Sequence, residues 1–142
     1  MVGTLKLKAT TATGGPTVGS SPSVWRNAIT NSGIATSHNE GFSFNAITGV
    51  GTVLVGYGGL YDISWVATMY SSGTSDHNYE ILVNGSTVSN QIWEPPAAND
   101  EFIMTVKGLV RLAAGDTFSF RITGDTGARF IISEVSMFQI KA

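Results

Sequence analysis

The chain has 142 residues, no Cys, a formal net charge of −2, and 42% hydrophobic against 13% charged residues. That length fits one domain with its own core, and the hydrophobic share excludes an intrinsically disordered chain. Without Cys there is no disulfide framework and no Cys-based zinc or thiol chemistry, and eight Lys and Arg in all form no basic stripe to track a phosphate backbone.

Val and Ile number 12 and 11 against 7 Leu, with 16 Thr, 15 Ser and 17 Gly. β-Branched residues lose rotamer freedom in helices but fit a pleated surface, so the mix predicts sheets joined by Gly-rich turns and little helix. Neither nucleic acid nor membrane is an expected partner. The N-terminus alternates lysine with leucine and holds no apolar core of signal-peptide length. No window approaches the roughly 20 apolar residues of a membrane helix.

Residues 4–9 place Leu5, Leu7 and Ala9 on one face and Lys6 and Lys8 on the other, the pattern of a half-buried strand. From Thr10 to Glu40 the chain is rich in Thr, Ser, Gly, Asn and Pro, broken by Val24-Trp25-Arg26 and Ala28-Ile29. It reads as a surface segment with one or two short strands, pinned by Trp25, or as an arm; residues 1–40 are then an N-terminal strand plus extended segment of a single 1–142 domain. A segment outside the core is where a partner contact is most easily built.

From residue 42 strands follow at the spacing of an all-β sandwich. Phe42, Phe44 and Ala46 share a face, and Thr52 to Tyr57 reads as a short Val/Leu strand ending in the Gly56-Tyr57-Gly58-Gly59 break. Tyr61, Ile63, Trp65, Ala67 and Met69 form an apolar face opposite Asp62, Ser64 and Thr68. Residues 71–78 read as a polar loop. Tyr79, Ile81 and Val83 lead into Asn84-Gly85, a type I′ hairpin signal. Residues 91–101, with Pro95-Pro96, read as a loop. Phe102, Met104, Val106, Val110 and Leu112 share a face that Gly108 interrupts, as a bulge would. Turns at 114–116 and 124–127 then flank the Phe118, Phe120 and Ile122 strand, and Arg129 to Lys141 is the last. About eight to ten strands suit a two-sheet antiparallel jelly-roll sandwich.

The last strand is apolar on both parities: Phe130, Ile132, Phe138 and Ile140 on one, Ile131, Val135 and Met137 on the other. A sandwich covers one face of each sheet, so the second face needs another cover. Either a bulge between Ser133 and Ser136 shifts the register, or Ile131, Val135 and Met137 form a subunit interface, which Val135→Asp would then dissociate. Pairing of the C-terminal with the N-terminal strand is also needed to hold Leu5 and Leu7.

Catalytic patterns are scarce. His38 and His77 read as two unrelated surface histidines, too few for a metal site. No Gly-x-Ser-x-Gly elbow, Gly-x-Gly-x-x-Gly or phosphate loop occurs. Asp100 and Glu101 point to opposite faces of a strand, which does not suit paired acid and base work. The expectation is a non-enzyme without cofactor or metal. Trp25 and Trp93, in polar segments, are candidate partner-binding anchors, with loop pinning as the structural alternative.

The stretch from Phe44 to Ala142 resembles the jelly roll shared by the globular heads of the complement first-component family and by tumour necrosis factor-like proteins. The resemblance is carried by Phe44-Asn45-Ala46-Ile47-Thr48-Gly49, Gly59-Leu60-Tyr61, Val83-Asn84-Gly85, Leu112-Ala113-Ala114-Gly115-Asp116 and the apolar last strand. The gap between Gly49 and Gly59 is longer than that pattern, and no Pro precedes Gly59-Leu60-Tyr61. The resemblance implies a homotrimer packed about a three-fold axis, with Tyr61 and Trp65 in the core or lining the axis, and Trp65 read as core.

The small cysteine-free chain, without signal peptide, collagen-like stem or catalytic set, and its Thr/Ser/Gly/Asn-rich β composition, which is similar by analogy to that of phage appendage proteins, lead to the expectation of a structural virion protein of a bacteriophage. The expectation is a trimeric capsid decoration or short head fibre, made in the host cytoplasm, located on the capsid surface and bound to the major capsid protein. The alternative is a receptor- or carbohydrate-binding tip module that contacts a host-surface glycan or protein through Trp93. In the first reading residues 1–40 face the capsid, and loops 71–78 and 91–101 lie at the opposite end.

Overall fold

The computed structural model describes residues 2–10, 26–27, 34–45, 48–71, 76–94, 100–123 and 129–142. Trp25 lies outside them. The described residues form eleven strands: β1 (Thr4–Thr10), β2 (Arg26–Asn27), β3 (Ile34–Glu40), β4 (Phe42–Asn45), β5 (Val50–Val53), β6 (Gly59–Ser71), β7 (His77–Val83), β8 (Ser86–Trp93), β9 (Asp100–Leu112), β10 (Thr117–Thr123) and β11 (Arg129–Lys141). A front sheet runs in the order β3-β1-β11-β6-β9 and a back sheet in the order β4-β5-β10-β7-β8, with β2 pairing β10. All the pairings are antiparallel.

The alternation of β6 decides the core. Tyr61, Ile63, Trp65, Ala67 and Met69 all point between the sheets and are buried, and from the back sheet Tyr79, Ile81, Phe118, Phe120 and Ile122 meet them. Trp65 packs edge-on against Tyr79 and Phe120, both with ring centroids 5.7 Å away, and Phe42 does the same against Tyr61 at 5.4 Å. Such pairs add roughly 0.5–1.5 kcal/mol each beyond area burial. The indole N–H of Trp65 donates to Ser133 Oγ at 2.6 Å, so its polar edge is satisfied inside the core. Burial holds the Tyr79 hydroxyl well above its ordinary titration range.

Four local expectations change. The polar Ile34–Glu40 stretch is a full strand, β3, paired only with β1 at the sheet edge; an edge strand needs no apolar alternation. The Val/Leu strand ends at Val53, because Leu54 N–H turns to Gly41 O (2.9 Å) and Tyr57 N–H closes a turn onto Leu54 O (3.2 Å). Residues 91–93 belong to β8. Gly108 makes no bulge: β6 and β9 pair without a register shift from Gly59–Leu112 to Ser71–Asp100. A side chain at Gly108 would instead press on Ser89 of β8, which passes close enough for Ser89 Oγ to donate to Lys107 O at 2.7 Å.

The registers also give the sandwich two unlike ends. Gly41, the 54–57 turn, Asn84-Gly85, the 113–116 turn and Ala142 cluster at one end, tied by Gly3 N–H to Gln139 Oε1 (2.7 Å) and the Tyr61 hydroxyl to Tyr57 O (2.6 Å). At the other end lie Thr10, Ile34, Ser71, His77, Trp93, Asp100, Thr123 and Arg129, as the pairs Thr10–Ile132, Ser71–Asp100, His77–Trp93 and Asn78–Thr123 require. The chain therefore leaves β1, β6 and β8 at the same end. Most of the N-terminal segment and of loops 71–78 and 91–101, expected at opposite ends, lies outside the described residues; the strand ends that lead into them share one end.

Candidate functional site

Directly opposite residues on antiparallel neighbours point to the same face, and this fixes the parity of β11. Leu5 pairs with Met137 and Leu7 with Val135, while Lys6 pairs with Ser136 and Lys8 with Glu134. Val135 and Met137 are therefore core residues, buried with Leu5 and Leu7, and Tyr61 is buried with them. The side chains of Tyr61, Val135 and Met137 are thus buried within the chain's own sandwich. This corrects the expected interface. The Ile131 side chain lies outside the described residues. The register shifts of β11 fall between Phe130 and Ile132 and between Gln139 and Lys141, not between Ser133 and Ser136.

The two-sided character of β11 is nevertheless real, with the faces exchanged. Phe138 and Ile140 point outward and are each 54% exposed; Leu109 and Ile103 on β9 are each 67% exposed. Phe138 and Leu109 lie one on either side of Asp62, both as its strand-pair partners. Ile140 sits at the register shift that precedes the Leu60–Lys141 pair. At the far end of the same face Ile103 and Ile132 flank Thr68. The outer face of the front sheet thus carries two apolar regions separated by a polar middle.

That middle is a shallow groove of about 370 Å³ over Ser64 and Ser136, bordered by Lys6, Lys8, Val66 and Glu134. A second hollow beside it, of about 390 Å³, is lined by Thr4, His38 and Phe138 among others. Lys8 and Glu134 form an ion pair at 3.8 Å with both side chains more than half exposed, a geometry worth little in water. Shape and apolar contact therefore dominate what this face can do.

His77 is not a surface residue. It opens β7 fully buried, with Nδ1 3.2 Å from Tyr79 Oη and its ring 5.6 Å from that of Phe102. His38 is exposed on β3 at the front-sheet edge, so the two histidines are unrelated in space as well. Among the described residues no group of three or more His, Asp or Glu gathers to hold a metal. Trp93 ends β8 opposite His77; its side chain lies outside the described residues. On the back sheet, Arg121 pairs with the buried Glu80 at 3.2 Å, and Thr87 Oγ1 also bonds to Glu80.

The residues that sequence reasoning missed are Phe138, Ile140, Leu109 and Ile103. The signal was available in β1: once its lysines face solvent, their partners on β11 must do so too, and Phe138 and Ile140 follow by alternation.

No protein-family model matches the sequence, and no curated protein matches it. Among solved structures the chain is similar to the PRD1 vertex protein P5, with TM-score 0.64 and 18% identity over 98% of this chain and 73% of that one. It is also similar to the globular domain of zebrafish complement 1qA protein, with TM-score 0.59 and 14% identity over 97% of each chain. Murine APRIL gives TM-score 0.67 and 12% identity over 99% of this chain and 100% of that one. The likeness extends over the N-terminal third, which the sequence motifs did not reach. At these identities it is a likeness of fold: the chain has the jelly roll of the complement first-component globular heads and tumour necrosis factor-like proteins, a fold that the PRD1 vertex protein also has.

Proposed function

We propose that this chain is a non-enzymatic structural protein of a phage virion, a homotrimeric jelly roll that binds the major capsid protein and stabilises the shell as a decoration protein or short head fibre. The observation that carries this reading is the exposed apolar outer face of the front sheet, with Phe138, Ile140, Leu109 and Ile103. Large apolar side chains left exposed in two regions of one sheet face, with a polar middle between them, support an interaction surface there. Copies of the chain arranged about a closed symmetry axis would bury it. The trimer interface in this reading is that outer face, in place of Tyr61, Val135 and Met137.

The fold shared with a PRD1 vertex protein supports the same direction. The role is mechanical: a trimer that binds only the assembled shell stabilises it by mass action, as any ligand of one state does. The element offered to the shell is the end where the chain leaves β1, β6 and β8. Co-sedimentation of the purified protein with empty phage shells, beside binding to intact host cells, tests the reading. Binding to shells is expected. Binding to cells without binding to shells would overturn it in favour of the receptor- or carbohydrate-binding tip module.

A further inference from the structure

Asn84 and Gly85 occupy the β7–β8 turn with φ of 50° and 78°. The Asn84 carboxamide reaches across to the neighbouring turn: Nδ2 donates to Asp116 Oδ1 at 2.9 Å, and Oδ1 accepts from Thr117 N–H at 2.9 Å, with Thr117 Oγ1 at 3.3 Å. Asp116 Oδ2 accepts from Ala113 N–H at 2.8 Å. Backbone bonds from Val53 N–H to Asp116 O and from Gly115 N–H to Val53 O join β5 to the same node. One side chain thus latches the two turns together.

We propose that Asn84 is a modification site, a spontaneous deamidation site that this latch holds closed. When the carboxamide leaves Asp116 and Thr117, the Gly85 backbone nitrogen attacks Asn84 Cγ. The N–Cγ bond forms, the Cγ–Nδ2 bond breaks, and the Gly85 amide proton departs with the side-chain nitrogen as ammonia, leaving a cyclic imide. Water then adds across one of the two imide C–N bonds and gives aspartate or isoaspartate. No electrons are transferred, and water is the sole co-reactant.

Three observations fit this assignment. Gly85 has no side chain to shield its nitrogen, and no atom of a residue other than its immediate chain neighbours lies within 4 Å of where a Cβ would stand. Asn84 and Gly85 are both exposed, so water reaches the imide. Cyclisation must turn Cγ onto the Gly85 nitrogen, which gives up the bonds to Asp116 and Thr117, so the rate follows the opening of the latch. The product cannot close it again. A carboxylate at position 84 faces the Asp116 carboxylate where Nδ2 donated before, and like charges repel at that distance. Isoaspartate also lengthens the backbone within a turn that needs positive φ at both central residues. Each latch opening that leads to reaction is therefore recorded irreversibly at the turn end.

The test is incubation of the full chain at neutral and mildly alkaline pH, with residue 84 read by peptide mass spectrometry and by isoaspartate-specific enzymatic methylation. Asp116→Ala should speed the reaction at Asn84 by about tenfold, the scale set by losing a charge-assisted hydrogen bond. If that variant does not fold, the wild-type chain in urea serves instead and should react faster than the folded chain by a similar factor or more. Equal rates in folded and unfolded wild-type chain, or in wild type and a folded Asp116→Ala, would overturn the proposal.

Discussion

On β11, Val135 and Met137 point between the sheets against Leu7 and Leu5, whereas Phe138 and Ile140 point outward and stay 54% exposed. The inner face of the front sheet is completed by the back sheet, through Tyr79, Ile81, Phe118 and Phe120 among others. Nothing among the described residues completes the outer face to the same degree. Fully burying a side chain such as Phe, Leu or Ile is worth about 1.5–3 kcal/mol, so covering the exposed part of each of Phe138, Ile140, Leu109 and Ile103 is worth about 1–2 kcal/mol per side chain. In the proposed assembly, folding of one copy and association of several would therefore draw on opposite faces of the same strands. Mutations should separate the two processes.

The largest effect is expected on the inner face. Val135→Asp buries a charge with no partner, a change of several kcal/mol that should unfold the chain rather than release folded subunits. Circular dichroism and thermal denaturation distinguish these outcomes. Trp65→Ala should come next, lowering stability by about 3–5 kcal/mol through the cavity it leaves between Tyr79 and Phe120 and through the orphaned Ser133 hydroxyl. On the outer face, Phe138→Asp should leave the melting temperature of the isolated chain nearly unchanged while abolishing association. A large loss of stability in that variant would break the contrast.

The smallest effect concerns the turn end. The Asn84 side chain, and then the Ala113 N–H, hold the Asp116 carboxyl below its ordinary range. A lowered folded-state value stabilises the fold above the unfolded value of about 3.9, and this contribution is lost as pH falls through the lower folded value. Melting curves between neutral pH and pH 3 should show a small loss that Asp116→Ala removes. An unchanged pH profile in that variant would show that the latch adds nothing to stability.

Much of the fold was legible because alternation reports burial directly: β6, β10, the apolar face of β9 and the Asn84-Gly85 turn follow from residue order alone. What was not legible had a physical cause in each case. Ile34–Glu40 is an edge strand, whose backbone pairing leaves side-chain polarity unconstrained. Leu54 and Val55 are apolar but belong to a turn fixed by bonds to Gly41 and Tyr57. His77 looked like a loop residue until pairing with Trp93 set it at the start of a strand against Phe102. The candidate face was half legible: residue order showed that β11 is apolar on both sides, but which side faces the core depends on pairing with β1, a contact more than 100 residues away in sequence.

In the proposed assembly, further copies of the chain cover the outer face of the front sheet. Sedimentation equilibrium on the wild type and on Phe138→Asp at micromolar concentration tests it. A trimer for the wild type and a folded monomer for the variant is the predicted result. A wild-type chain that remains monomeric, or a Phe138→Asp variant that stays trimeric, would contradict it.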